Sequence, residues 1–188
     1  IPKRIIVYNK PVGEICSQKD PQNRPTVFEA MPKIRGSKWI SIGRLDINTS
    51  GLLLITNNGE IAHRLMHPSF NIEREYLCRV QGSPSVDQLK QLLNGVYIDD
   101  YLCKFDYLQK TRGSGSNQWY KVVLKEGKYR EVRRLWSAIN CRVNRLIRIR
   151  YGPFILHNES QVGFYKELNS EEQSVLLRKS VSKKYDKF

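Results

Sequence analysis

Leu52-Leu53-Leu54-Ile55 carries no polar residue at either alternating position, so a strand built from it must be covered on both faces. A chain containing such a strand needs layers on either side of it. The segment entering it, Gly43-Arg44-Leu45-Asp46-Ile47-Asn48-Thr49-Ser50-Gly51, is rich in turn formers, which places Asp46 in a tight connection at the mouth of a buried strand. With 188 residues the chain has room for one domain or for two small subdomains sharing a cleft.

Other elements fall around this strand. Residues 4–9 read as a first strand, followed by a loop with Lys10-Pro11 and Gly13, and 39–42 read as a second. Asn57-Asn58-Gly59 is turn chemistry, after which Ile61, Ala62, Leu65 and Met66 recur at helical spacing. Residues 75–81 form a strand. Ser85 and Gln88 then have capping-box spacing ahead of a helix whose apolar stripe is Val86, Leu89, Leu92 and Leu93. Strands are expected at 96–98, 104–108 and 119–124, with residues 112–117 as a Gly/Ser hairpin loop. A helix at 131–139, a β-branched strand at 143–151 and a C-terminal helix at 170–179, with Ser170 and Gln173 as a second box, complete the pattern. This is an α+β chain: a mixed sheet with few helices, with room for two subdomains sharing a cleft.

Charge narrows the partner. Thirty-two Lys and Arg against eighteen Asp and Glu give a net charge of +14, the sign of a chain that neutralises phosphates, although charge alone does not separate RNA from DNA or an anionic membrane. No apolar stretch approaches the roughly eighteen residues of a membrane span, and Ile5-Ile6-Val7 is too short for a secretory h-region. The four cysteines, Cys16, Cys78, Cys103 and Cys141, are widely spaced, as in a cytoplasmic protein with reduced thiols.

Three blocks carry a resemblance. GRLDINTSGLLLIT around Asp46, Arg74-Glu75-Tyr76, and Glu126-Gly127-Lys128-Tyr129-Arg130-Glu131-Val132-Arg133-Arg134-Leu135 resemble, in order and spacing, the pseudouridine synthases of the small-subunit and large-subunit rRNA type. Within that family DPQNRPTVFEAMP, GSNQWY, EGKYREVRRLW and NRLIRIRYG are most similar to the synthase B branch of the large-subunit enzymes. The resemblance implies the pseudouridine synthase fold, a mainly antiparallel sheet of two subdomains with a central active-site cleft and few flanking helices, with no cofactor and no metal. The implied substrate is a uridine in a stem-loop of 23S large-subunit rRNA near the peptidyl-transferase centre, modified in the cytoplasm by a monomer. By position it implies Asp46 as nucleophile or base, Tyr76 as the ring lying on the target base, Arg133 as the partner of Asp46 and Leu146 as an apolar pocket residue. Arg44 matches a residue that, in a related branch, fills the gap left by the extracted nucleotide. Family members usually begin with a small S4-like RNA-binding module, whereas this chain starts at the first catalytic strand, so residues 1–188 are expected to be the catalytic domain.

Physical chemistry supports these roles independently. The reaction breaks a carbon–nitrogen glycosidic bond, turns the base over and forms a carbon–carbon bond to the same sugar, so the detached uracil must be held between an apolar wall and a stacked ring. Flipping the target costs a few kcal/mol, which phosphate contacts and an inserted side chain such as Arg44 offset. Burial alone would raise the pKa of the carboxylate, and a guanidinium such as Arg133 opposes that. Whether Asp46 attacks the sugar, adds to the ring or removes a proton stays open. Residues 128–150 hold eight Lys or Arg and a single acid, Glu131, interleaved with Tyr129 and Trp136. Arg44, Arg74, Lys128, Arg130, Arg134, Arg145, Arg148 and Arg150 are accordingly expected to contact RNA.

Other signals are weaker. His63 and His67 lie four apart on a helix, but no acid intervenes between them to complete a metal motif. Gly113-Ser114-Gly115 lacks the Lys-Ser/Thr ending of a phosphate loop, and Cys78, Cys141, Trp39, Trp119 and Trp136 are expected in the core. A non-catalytic RNA-binding module would use the same charge and aromatics without needing Asp46, Tyr76 and Arg133 together. A glycoside hydrolase would need a second carboxylate in a motif.

Overall fold

The structure, a computed structural model, describes residues 1–128, 130–156 and 161–178. Its elements in chain order are β1 (Ile5–Lys10), β2 (Ile40–Ile42), β3 (Ser50–Thr56), α1 (Gly59–Met66), β4 (Arg74–Gln81), α2 (Val86–Asn94), β5 (Val96–Ile98), β6 (Tyr101–Cys103), β7 (Tyr107–Ser114), β8 (Asn117–Leu124), α3 (Glu131–Ala138), β9 (Arg142–Tyr151), β10 (Phe154–Ile155), β11 (Tyr165–Glu167) and α4 (Ser170–Leu177). The architecture is α+β with mainly antiparallel strands. Two compact units divide the chain: residues 1–72 with 148 onward, and residues 73–147.

In the first unit β1 lies between β11 and β3, with β2 also on β3 and β10 on the end of β9. All seven residues of β3 are buried, as its unbroken apolar run requires. Ile5, Ile42, Leu52 and Leu54 pack with Ile61, Ala62 and Leu65 of α1 and Leu176 of α4 in one core, and Asn58 caps α1 by accepting from the Ile61 amide. The last helix begins at Ser170 as expected, but its N-cap is Asn169, one residue before the expected Ser170 cap. Asn169 accepts from the Glu172 amide at 2.9 Å and its own amide donates to the Glu172 carboxylate at 3.0 Å, while Lys166 pairs with the same carboxylate at 2.7 Å. That ion pair gives the Asn169–Glu172 box an anchor that Ser170 and Gln173 lack; Lys179 lies outside the described residues.

In the second unit β4, β8 and β7 pair antiparallel, with a register shift in β7 between Lys110 and Arg112. Their inner face carries Tyr76, Cys78, Val80, Tyr120 and Val122, all buried, and α3 lays Trp136 against Tyr120 and Phe105 at ring separations of 4.8 and 5.9 Å. The Ser85–Gln88 box forms as expected, but Val86 is 68% exposed and the burial of α2 centres on Leu92. The expected strand at 104–108 instead divides into β6 and β7 around a buried Phe105, whose amide donates to Leu92 O. The expected 112–117 loop is mostly strand, because β7 and β8 pair up to Ser114 and Asn117.

Candidate active site

Asp46 sits in the connection from β2 to β3, half-buried, and the backbone around it is held from below. Lys10, the last residue of β1, has no exposed surface, and its ammonium donates to Thr49 O at 2.8 Å, Pro11 O at 2.9 Å and Asp46 O at 3.1 Å. Three carbonyls fill the three donors of the ammonium, which is how a buried lysine is tolerated. Burial pushes the Lys10 pKa down, and the neighbouring Cys16, Glu14 and Asp46 oppose that shift. Further bonds run from the Thr49 amide to Asp46 O (3.0 Å), from the Gly13 amide to Ile47 O (2.8 Å) and from the Leu45 amide to Cys16 Sγ (3.4 Å). Gly51 follows with φ +111°, and a Cβ there would fall onto the Arg148 backbone, so the glycine of the TSGLL run is a close-approach position. The backbone of Asp46 is therefore fixed by a buried cation, while the neighbouring Arg44 is exposed.

The other expected catalytic residues lie in the second unit. Tyr76 is buried on β4 and Leu146 on β9. Arg133 of α3 donates from Nη1 to Val143 O of β9 at 3.3 Å, and its charge also acts on Cys78 of β4. The guanidinium is thus tied to β9 three residues from Leu146. Cys78 itself is pushed up to about 12 by burial, so it packs as a neutral thiol and not as a nucleophile.

Between β8 and α3 the chain forms a basic loop around a buried acid. Glu131, 4% exposed, accepts from the Lys128 amide at 3.1 Å, and burial with the charge of Glu126 beside it raises its pKa to about 7. Desolvation acts on Glu126 in the same direction, but hydrogen bonds from Glu131 and Lys128 outweigh it and lower its pKa, so a shared proton resides mainly on Glu131. The Lys128 ammonium lies 3.1 Å from Glu126 and 4.5 Å from the Tyr101 ring centroid, and Arg74 donates to Lys125 O at 2.8 Å. The donor atoms of Cys103, Glu126 and Glu131 lie within 4.8 Å of one another, but the Lys128 ammonium already neutralises this group.

Among the expected RNA contacts, Arg145 is exposed, Arg130 is half-buried at the left-handed start of α3, and Arg134 pairs with Asp99 at 2.7 Å. Arg150 is half-buried and donates to Gly152 O at 3.1 Å. Arg148 is a correction. It is 3% exposed, donates from Nε to Leu52 O at 2.7 Å and lies 5.0 Å from the Tyr151 ring centroid, so it braces β3 from inside the first unit and does not face solvent. Trp119 is a second correction: it is half-buried beside two arginines, whereas Trp39 and Trp136 are in the core as expected. Tyr129 falls outside the described residues. Lys10 and Glu131 were both missed as site residues. A lone lysine at a strand end reads as solvated, whereas Glu131 had a signal, being the one acid in a run of cations.

Comparison with known proteins places the chain in a family. Residues 4–138 match the family described as RNA pseudouridylate synthase. The chain is 48% identical over 175 residues to ribosomal large subunit pseudouridine synthase B of Pseudomonas aeruginosa, covering 93% of this chain and 45% of that protein. It is 49% identical over 173 residues to the synthase of the same name from Escherichia coli (strain K12), covering 92% and 60% respectively. The chain therefore spans about half the length of the curated relatives it matches. A crystal structure of a pseudouridylate synthase superposes with a TM-score of 0.81 at 25% identity, covering 94% of this chain and 74% of that one. An H/ACA RNP bound to a substrate RNA containing 2'-deoxyuridine shares the fold, with a TM-score of 0.61 at 17% identity over 85% of this chain and 50% of that one. With the motif around Asp46 inside the matched region and the fold shared, this chain belongs to the RNA pseudouridylate synthase family.

Proposed function

We propose that this chain converts a uridine of large-subunit ribosomal RNA to pseudouridine, with Asp46 as the catalytic carboxylate. The observation that carries the reading is the Asp46 loop: a half-buried carboxylate in the family's motif, its backbone held by the buried Lys10. Rigid placement of the reacting group is what a rearrangement within one nucleotide needs. The C1′–N1 bond breaks, the uracil turns, C1′–C5 forms, the proton on C5 leaves and N1 ends protonated, so the product is an isomer and no external group or electron enters. In this reading Arg133 keeps Asp46 ionised, Tyr76 stacks on the flipped base and Leu146 forms the apolar wall. Arg44 supports the vacated helix position. Arg74, Lys128, Arg130, Arg134, Arg145 and Arg150 supply cations for phosphates. The substrate is a stem-loop of 23S rRNA near the peptidyl-transferase centre, residues 1–188 carry the catalytic part, and the enzyme works in the cytoplasm as a monomer.

Pseudouridine mapping in large-subunit rRNA tests this, using cells lacking the protein and cells given back the wild type or Asp46→Asn. The wild type should restore one modification, and Asp46→Asn should slow it by about 10²–10⁴-fold. Restoration by Asp46→Asn at the wild-type rate would defeat the proposal, as would an unchanged map in the deletion strain.

A further inference from the structure

The outer face of the β4–β8–β7 sheet turns away from Tyr76. Side chains alternate along a strand, and Tyr76 pairs with Val122 on the buried inner face, so Arg79 and Trp119, each an odd number of positions away, emerge on the opposite side. Trp119 stands directly between two cross-strand partners, Arg79 on β4 and Arg112 on β7. Their guanidinium carbons lie 5.9 and 5.2 Å from its ring centroid. Arg79 Nε donates to Asn144 Oδ1 at 2.7 Å, and Asn144 Nδ2 donates to Asn117 Oδ1 at 2.9 Å, so the row extends from β7 to β9. Lys121, two residues along β8 from Trp119, adds a third cation to this face, and among the described strand residues of β4, β7 and β8 here the only acid is Glu75.

We infer that this outer face is a second RNA-docking surface, one that takes an unpaired stretch of RNA. The two guanidinium planes that the indole holds in place offer stacking faces to bases, the three cations offer partners to phosphates, and Asn117 retains its amide N–H donors for base edges or sugar hydroxyls. The apolar side chains of this face are the half-buried Leu77, the buried Val123 and the exposed Tyr107 paired with it, so what it presents to a partner is aromatic rings and cations and not an aliphatic patch. A cross-strand Arg–Trp–Arg ladder also supports strand pairing on its own. RNA docking requires more: the affinity must depend on the charges and on an aromatic ring at position 119. The inference shares with the proposed function only the class of partner, because the surface lies on the opposite face of the sheet from Tyr76.

The test measures affinity of the full chain for an unpaired RNA oligomer of roughly ten nucleotides across a salt series. Arg79→Gln combined with Arg112→Gln should weaken binding about tenfold and reduce the slope of log K against log salt by about 1.4, each single-strand phosphate contact contributing about 0.7. Trp119→Ala should weaken it by about 5- to 150-fold, while Trp119→Phe retains most of the affinity, and crosslinking by ultraviolet light should map to Trp119. Unchanged affinity and salt slope in these variants overturn the inference. So does an affinity loss equal in Trp119→Phe and Trp119→Ala, or crosslinks confined to other parts of the chain. The readout is binding alone, so it stands or falls separately from the Asp46→Asn mapping, which reads modification.

Discussion

The loop bearing Asp46 and the basic loop before α3 solve one problem with opposite charges. In the first unit a buried cation, Lys10, ties together three carbonyls of the Asp46 connection. In the second a buried acid, Glu131, accepts from the Lys128 amide and shapes a loop that carries Lys125, Lys128 and Arg130 together with a second acid, Glu126. The difference lies in their neighbours. All three donors of Lys10 are matched by neutral carbonyls, and although burial lowers its pKa, the charges around it oppose that shift. Glu131 faces a second carboxylate and titrates near 7, so the loop it shapes changes its charge balance where the Asp46 loop does not. A buried charge holds a loop constant only when its partners are neutral or of opposite sign.

Lys10→Met should have the largest effect on stability. It removes the ammonium shared by the carbonyls of Pro11, Asp46 and Thr49, at a cost on the order of 3 kcal/mol. That corresponds to roughly 6–12 °C in Tm for a chain of this size, read by thermal unfolding. A Tm within a degree of wild type would remove Lys10 from the comparison.

Glu131→Gln should have a smaller, pH-dependent effect. The folded-state pKa of Glu131 is raised to about 7, so its contribution to stability is fully present below the ordinary carboxylate value and is lost as pH rises through about 7. Wild type should therefore lose stability between pH 5 and 8, and Glu131→Gln should flatten that dependence in urea unfolding, with Glu126 and Lys128 still paired. An identical pH profile in the two proteins would contradict the shared proton. Lys128→Met should change stability least, by about 0–1 kcal/mol, because its pair with Glu126 is solvent-exposed. A larger loss would show that the ammonium, and not the proton on Glu131, holds the loop.

The reasons for success and failure in the sequence reading are local. β3 was readable because an apolar run admits one environment, and the Ser85–Gln88 box because capping is decided within four residues. The start of α4 is legible but its cap is not, because Asn169 and Ser170 are both good caps, and the ion pair from Lys166 that separates them depends on where β11 lies. Asp46, Tyr76, Arg133 and Leu146 stood out through motif resemblance. Arg148 was misassigned because a strand arginine with mixed alternation reads the same whether it turns toward solvent or toward a carbonyl such as Leu52 O.

By itself the amino-acid sequence determined the doubly covered strand, the turn carrying Asp46, the family and the net charge, since each depends on residue type and near spacing. Tertiary structure alone decided which charges are buried. It placed Lys10 under the Asp46 loop, Glu131 beside Glu126 and Arg148 behind β3, and it set Trp119 between two arginines on the outside of a sheet. Burial of a charge depends on partners brought from distant positions, as when Lys10 meets Thr49 and Arg148 meets Leu52, and no local pattern in the chain encodes those meetings.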